Sequence, residues 1–132
     1  LRRIIGRLAA ETASPNVDKE DETMNDLRKH LVSRVKDLGV EERVAPGRDD
    51  GFSAFFYEGK EFAHFHHDNE LDIRLTKAVI RRENLVHPPG STRHPKRGKT
   101  SHWIELRFYT PAELDQVVRL VEVAIAEMRS LD

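Results

Sequence analysis

The chain has 132 residues, 38% hydrophobic and 34% charged, which is enough apolar material for one core and little more. Its 22 Lys and Arg nearly cancel 23 Asp and Glu, so a formal net charge of −1 argues against a protein that tracks nucleic acid through a global basic footprint. The absence of cysteine removes disulfides, thiolate zinc sites and thiol nucleophiles and fits a reducing, cytoplasmic setting, and no apolar run approaches the roughly 18 residues of a membrane span.

Residues 1–12 carry Leu1, Ile4, Ile5, Leu8 and Ala9 at helical spacing, with Arg2, Arg3 and Arg7 on the other face. That is a short terminal helix packing on its own domain or on a second copy of the chain, or a basic amphipathic helix touching a membrane surface or a partner. A break at Ala13-Ser14-Pro15-Asn16 sets residues 1–17 apart as helix and linker, leaving residues 18–132 as a single α+β domain. The acidic run from Asp18 to Glu22 suits the first turn of a helix, where carboxylates meet the positive end of the dipole. Met24, Leu27, Leu31, Val35 and Leu38 continue its apolar stripe, and Gly39 is a natural stop.

From Val40 the pattern changes to short strands. The first is expected over Glu41–Ala45 and the second over Phe52–Glu58. A tight turn at Gly59 leads into a third over Glu61–His66, and His67-Asp68-Asn69 turns into a fourth over Glu70–Leu75. Thr76 is placed to cap a short helix running to Glu83, with Val79 and Ile80 inward. Residues 86–101 read as a loop rich in Pro, Gly and basic side chains. In the strand Ser101–Tyr109, Ile104, Leu106 and Phe108 point one way and Trp103, Glu105, Arg107 and Tyr109 the other. Thr110-Pro111-Ala112-Glu113 is a capping box with Pro at the first helical position, and Leu114, Val117, Val118, Val121, Ile125 and Met128 line the last helix.

Several short strands between helices predict an α+β fold: a two-layer sandwich, an antiparallel sheet of four to five strands with the helices packed on one face. The other face would carry Trp103, Glu105, Arg107, Asp72 and Arg74, joined by His64 and His66 if the register allows. Such a row is too charged for a core and suits a ligand-lined groove.

The strongest chemical signal is His64-Phe65-His66-His67-Asp68. Strict alternation puts His64, His66 and Asp68 on one face, and two imidazoles with a carboxylate are a ligand set for Zn, Fe, Ni or Cu. Glu70 is a further candidate third ligand, and His87, His94 and His102 are candidates from elsewhere. The structural alternative has His64 and His66 hydrogen-bonded to Asp72 or Glu105, with Arg74 and Arg107 forming cross-strand ion pairs. The loop from Gly90 to Lys99, with Arg93, Lys96 and Arg97, is either an anion cradle or a solvated surface. It lacks phosphate-loop spacing, and neither a G-x-S-x-G elbow nor a G-x-G-x-x-G fingerprint occurs. Trp103 is either a stacking platform or a cover for the sheet.

Glu61-Phe62-Ala63-His64-Phe65-His66, Leu71-Asp72-Ile73-Arg74-Leu75, His87-Pro88-Pro89 and Ser101-His102-Trp103-Ile104-Glu105-Leu106 together resemble the "luciferase domain" family of small bacterial and fungal proteins, over about residues 52–127. The resemblance implies a small α+β domain and draws attention to His64, His66, Asp72, His87 and Trp103. It does not imply light emission.

The reading that follows is a small-molecule binding domain, holding an anionic or metal-associated ligand through His64, His66, Asp72, Arg74, His87, Arg93, Trp103, Glu105 and Arg107. A divalent metal is the cofactor the histidine pair would take. Two other readings stay open: a metal-dependent, oxygen-using enzyme centred on His64 and His66, and a protein-interaction module built around Trp103. Neither nucleic acid nor a membrane is expected as a partner, and a homo-oligomer is compatible with the pattern.

Overall fold

A computed structural model describes residues 18–44, 52–88 and 101–130, with side chains in the first helix from Asp26 onward. The expected helix over residues 1–12 and most of the basic loop, including Arg93, His94, Lys96 and Arg97, lie outside the described residues. The elements are α1 (Asp18–Lys36), β1 (Val40–Val44), β2 (Ser53–Tyr57), β3 (Lys60–His67), β4 (Glu70–Arg74), α2 (Lys77–Arg82), β5 (Trp103–Arg107) and α3 (Pro111–Ser130). The five strands form one antiparallel sheet in the order β1-β2-β3-β4-β5. The fold is α+β, as the alternation of apolar and polar residues predicts. Among the described residues no helix is long and apolar enough to cross a membrane.

Local chemistry sets each boundary. Helix α1 buries Leu27, Leu31 and Val35, four residues apart on one stripe. It ends where Gly39 takes a φ of 95°, a left-handed conformation that a residue with a Cβ adopts only under strain. Strands β2 and β3 are joined by Glu58-Gly59 alone, both at positive φ, as a two-residue hairpin requires. Strand β4 stops at Arg74, one residue early, because the Leu75 and Thr76 amides both donate to the His102 carbonyl. Thr76 then sits at φ 79° and ψ 147°, a region costly for a β-branched residue. Its hydroxyl accepts from the Val79 amide, capping α2. At the start of α3 the Thr110 hydroxyl accepts from the Glu113 amide, as expected, while the Glu113 carboxylate reaches one residue further back, to the Tyr109 amide.

The register gathers most large apolar strand residues on the helix side. Ala63, Ile73 and Ile104 are direct neighbours across β3, β4 and β5, as are Phe65, Leu71 and Leu106. These side chains, with Phe55 and Phe108, merge with Leu31 and Val35 of α1 and with Leu114, Val117, Val121 and Ala124 of α3 into one core. An Arg34–Asp115 ion pair ties α1 to α3.

Two departures from regular pairing, both in β3, aim the side chains of the other face. Between β2 and β3 the register runs Phe55↔Ala63 and then Phe56↔Glu61, leaving Phe62 as the extra residue. Between β3 and β4 it runs Phe65↔Leu71 and then His67↔Glu70, leaving His66 as the extra residue. A bulge of this kind restarts the alternation one residue out of step. His64 lies between the two.

Candidate functional site

The face opposite the helices is organised around one row across the sheet: Ala54, His64, Asp72 and Glu105, from β2 to β5. Glu70 and Arg107 pair one step to one side of it, and Arg74 and Trp103 one step to the other. Despite their charge, Asp72 and Glu105 are only 1% and 3% exposed, and His66 only 7%. Burial of ionisable groups at this level is costly unless partners or an ion compensate.

Aromatic rings surround His64. Its ring centroid is 5.6 Å from Phe52, 4.9 Å from His66 and 5.3 Å from Trp103. Both ring nitrogens face carboxylates, Nδ1 lying 3.2 Å from Glu61 Oε2 and Nε2 3.4 Å from Asp72 Oδ2. His66 keeps its Nδ1 sealed from solvent. Donor atoms of His64, His66 and Asp72 all lie within 4.8 Å of one another, and so do those of His66, Glu70 and Glu105. Two overlapping ligand sets therefore share His66.

Electrostatics separate the two sets. Arg107 Nε donates to Glu105 Oε2 at 2.9 Å and stands 3.5 Å from Glu70, so a guanidinium already serves the second set. Burial, with the negative charge of Glu105 next in weight, pushes the Glu70 carboxyl above its ordinary value. In the first set the Asp72 carboxylate faces the His64 imidazole. Among the described residues of β3, β4 and β5, the carboxylates of Glu61, Glu70, Asp72 and Glu105 share this face with the guanidiniums of Arg74 and Arg107.

The residues singled out from sequence divide accordingly. His64, His66, Asp72, Trp103, Glu105 and Arg107 are brought together, with Arg74 beside Trp103. Asp68 is not among them: past the bulge at His66 the alternation inverts, and its carboxylate accepts from Arg28 Nη1 of α1 at 2.9 Å. His102 is taken up by α2, its Nδ1 accepting from the Lys77 amide at 2.9 Å. His87 is half-buried beyond α2, and Arg93 lies outside the described residues. One member of the site escapes a reading by alternation: Glu61 reaches this face only through the bulge at Phe62.

An antiparallel sheet covered on one side by helices, with a His, Asp and Glu row on the other, defines a small α+β domain. The chain belongs to the Luciferase domain family, whose model matches residues 59–124, from the β2–β3 turn through most of α3 and half of the chain. Every charged or imidazole member of the site falls within that segment. No curated protein and no solved structure gave a match.

Proposed function

We propose that the polar sheet face is a binding site for a divalent transition-metal ion, or for a small molecule that carries one, held by His64, His66 and Asp72. The observation that carries this reading is the convergence of those three donors within 4.8 Å. Two imidazoles and one carboxylate suit Zn, Fe(II), Mn or Ni and are too hard a set for Cu(I). Three protein ligands leave at least one coordination position for water or a ligand oxygen, as in sites that exchange ligands. Trp103 and Phe52, on either side of His64, give a ring-bearing ligand two surfaces to stack against.

Elemental analysis of the purified protein, followed by titration of the metal-free form with Zn(II), Co(II) and Fe(II), tests the proposal. About one equivalent is expected in the wild type, and none in a His64→Ala/His66→Ala double variant that keeps its circular dichroism. A folded wild type that takes up none of the three metals sinks it.

The combination of two His with one carboxylate also favours a second reading, an Fe(II) enzyme that uses oxygen. Its mark would be nitric oxide binding to the Fe(II)-loaded protein, read by electron paramagnetic resonance, since nitric oxide needs an open iron position.

A further inference from the structure

Glu61 stands three residues before His64. In a regular strand that spacing puts two side chains on opposite faces. Here Phe62 is the extra residue of a bulge, so Glu61 and His64 share a face and Glu61 Oε2 comes within 3.2 Å of His64 Nδ1. An ionised carboxylate can only accept, so this contact requires the proton to be on Nδ1. In a neutral imidazole Nε2 is then a bare lone pair. It faces the Asp72 carboxylate at 3.4 Å, close enough for the two to share one bound ion.

Resting on the metal reading above, we propose that Glu61 is the positioning residue of the site: it holds His64 in the Nδ1–H tautomer and so aims Nε2 at an ion shared with Asp72. It also makes the imidazole a stronger donor, as carboxylates behind metal-bound histidines do. Glu61 does not touch the ion.

Two measurements on the full chain test this. The first reads the His64 ring nitrogens in metal-free, ¹⁵N-labelled protein at about pH 8, where an imidazole is ordinarily neutral. The second is Zn(II) affinity. Wild type should show Nδ1–H with an unprotonated Nε2. Glu61→Ala should lose that preference and bind Zn(II) roughly 10–100-fold more weakly. Glu61→Gln, whose amide oxygen still accepts from Nδ1–H, should keep the tautomer and recover part of the affinity. A wild-type His64 protonated on Nε2 overturns the proposal, whether Nε2 carries the only ring proton or one of two. If wild type binds Zn(II) and Glu61→Ala binds it equally well, the role of Glu61 falls and the metal site stands. If wild type binds no Zn(II), the metal reading falls and this inference falls with it.

Discussion

Asp72 and Glu105 are direct neighbours across β4 and β5, and both carboxylates are almost wholly buried. Like charges placed opposite each other destabilise a sheet. Arg107 compensates Glu105 at 2.9 Å, while Asp72 faces His64 Nε2 at the longer 3.4 Å. Under the proposed metal reading, the Asp72 charge is kept there for binding rather than for stability. Asp72→Asn is therefore expected to leave the melting temperature of the metal-free protein unchanged or raised while abolishing Zn(II) uptake. A loss of about 3–5 kcal/mol, the usual result of breaking a buried ion pair, would instead make Asp72 a structural partner of His64. Thermal melts of the two metal-free proteins separate these outcomes.

Arg28 anchors α1 over the sheet. Its guanidinium lies 4.0 Å from the centre of the Phe65 ring and donates to Ser53 Oγ at 3.1 Å as well as to Asp68. Arg28→Ala should cost about 1–2 kcal/mol in urea unfolding, discounted because the Asp68 side of the pair is half exposed. Asp68→Ala should leave metal uptake at the wild-type level. Loss of uptake in Asp68→Ala would restore Asp68 to the ligand set.

Glu83, the C-cap of α2, accepts from Arg119 of α3 at 2.8 Å, and that hydrogen bond holds its carboxyl below the ordinary value. Since the folded value lies below the unfolded one, the pair's stabilisation is fully present above the ordinary carboxylate range. It is lost as pH falls through the folded value. Glu83→Gln should thus melt slightly below wild type at neutral pH, with the gap closing as acid is added. A gap that widens in acid would contradict the assignment.

Phe55 is fully buried, with its ring edge-on to Phe65 at 5.4 Å. Phe55→Ala removes the aromatic link between β2 and the core and should cost about 3–5 kcal/mol in urea unfolding. A change below about 1 kcal/mol would mean that the core closes over the gap.

Much of the fold was legible along the chain because its signals are local. The hydroxyl of Thr76 and the Thr110-Pro111 pair mark helix starts by satisfying free amides, and Gly39 marks a stop through its φ. The alternation of Ile104, Leu106 and Phe108 with Trp103, Glu105 and Arg107 separated the core face from the polar face before any pairing was known. Asp68 was misplaced and Glu61 was missed for one shared reason. Alternation assumes two residues per repeat, and a bulge breaks that count without leaving a composition signal in Phe62 or His66.

The sequence by itself determined which side chains this protein has for chemistry: histidines and carboxylates without cysteine, on strands whose apolar partners face a helical layer. Hydrophobic periodicity is an intrinsic property of the chain, so the two faces of a regular strand such as β5 could be told apart from it alone. Only the tertiary structure decided which of those side chains meet. Register across β3, β4 and β5, and the two bulges that shift it, set His64 against Asp72 and Glu61, sent Asp68 to Arg28, and gave His102 to α2. Those choices depend on strands far apart in the chain lying side by side, a relation fixed by packing rather than by any local run of residues.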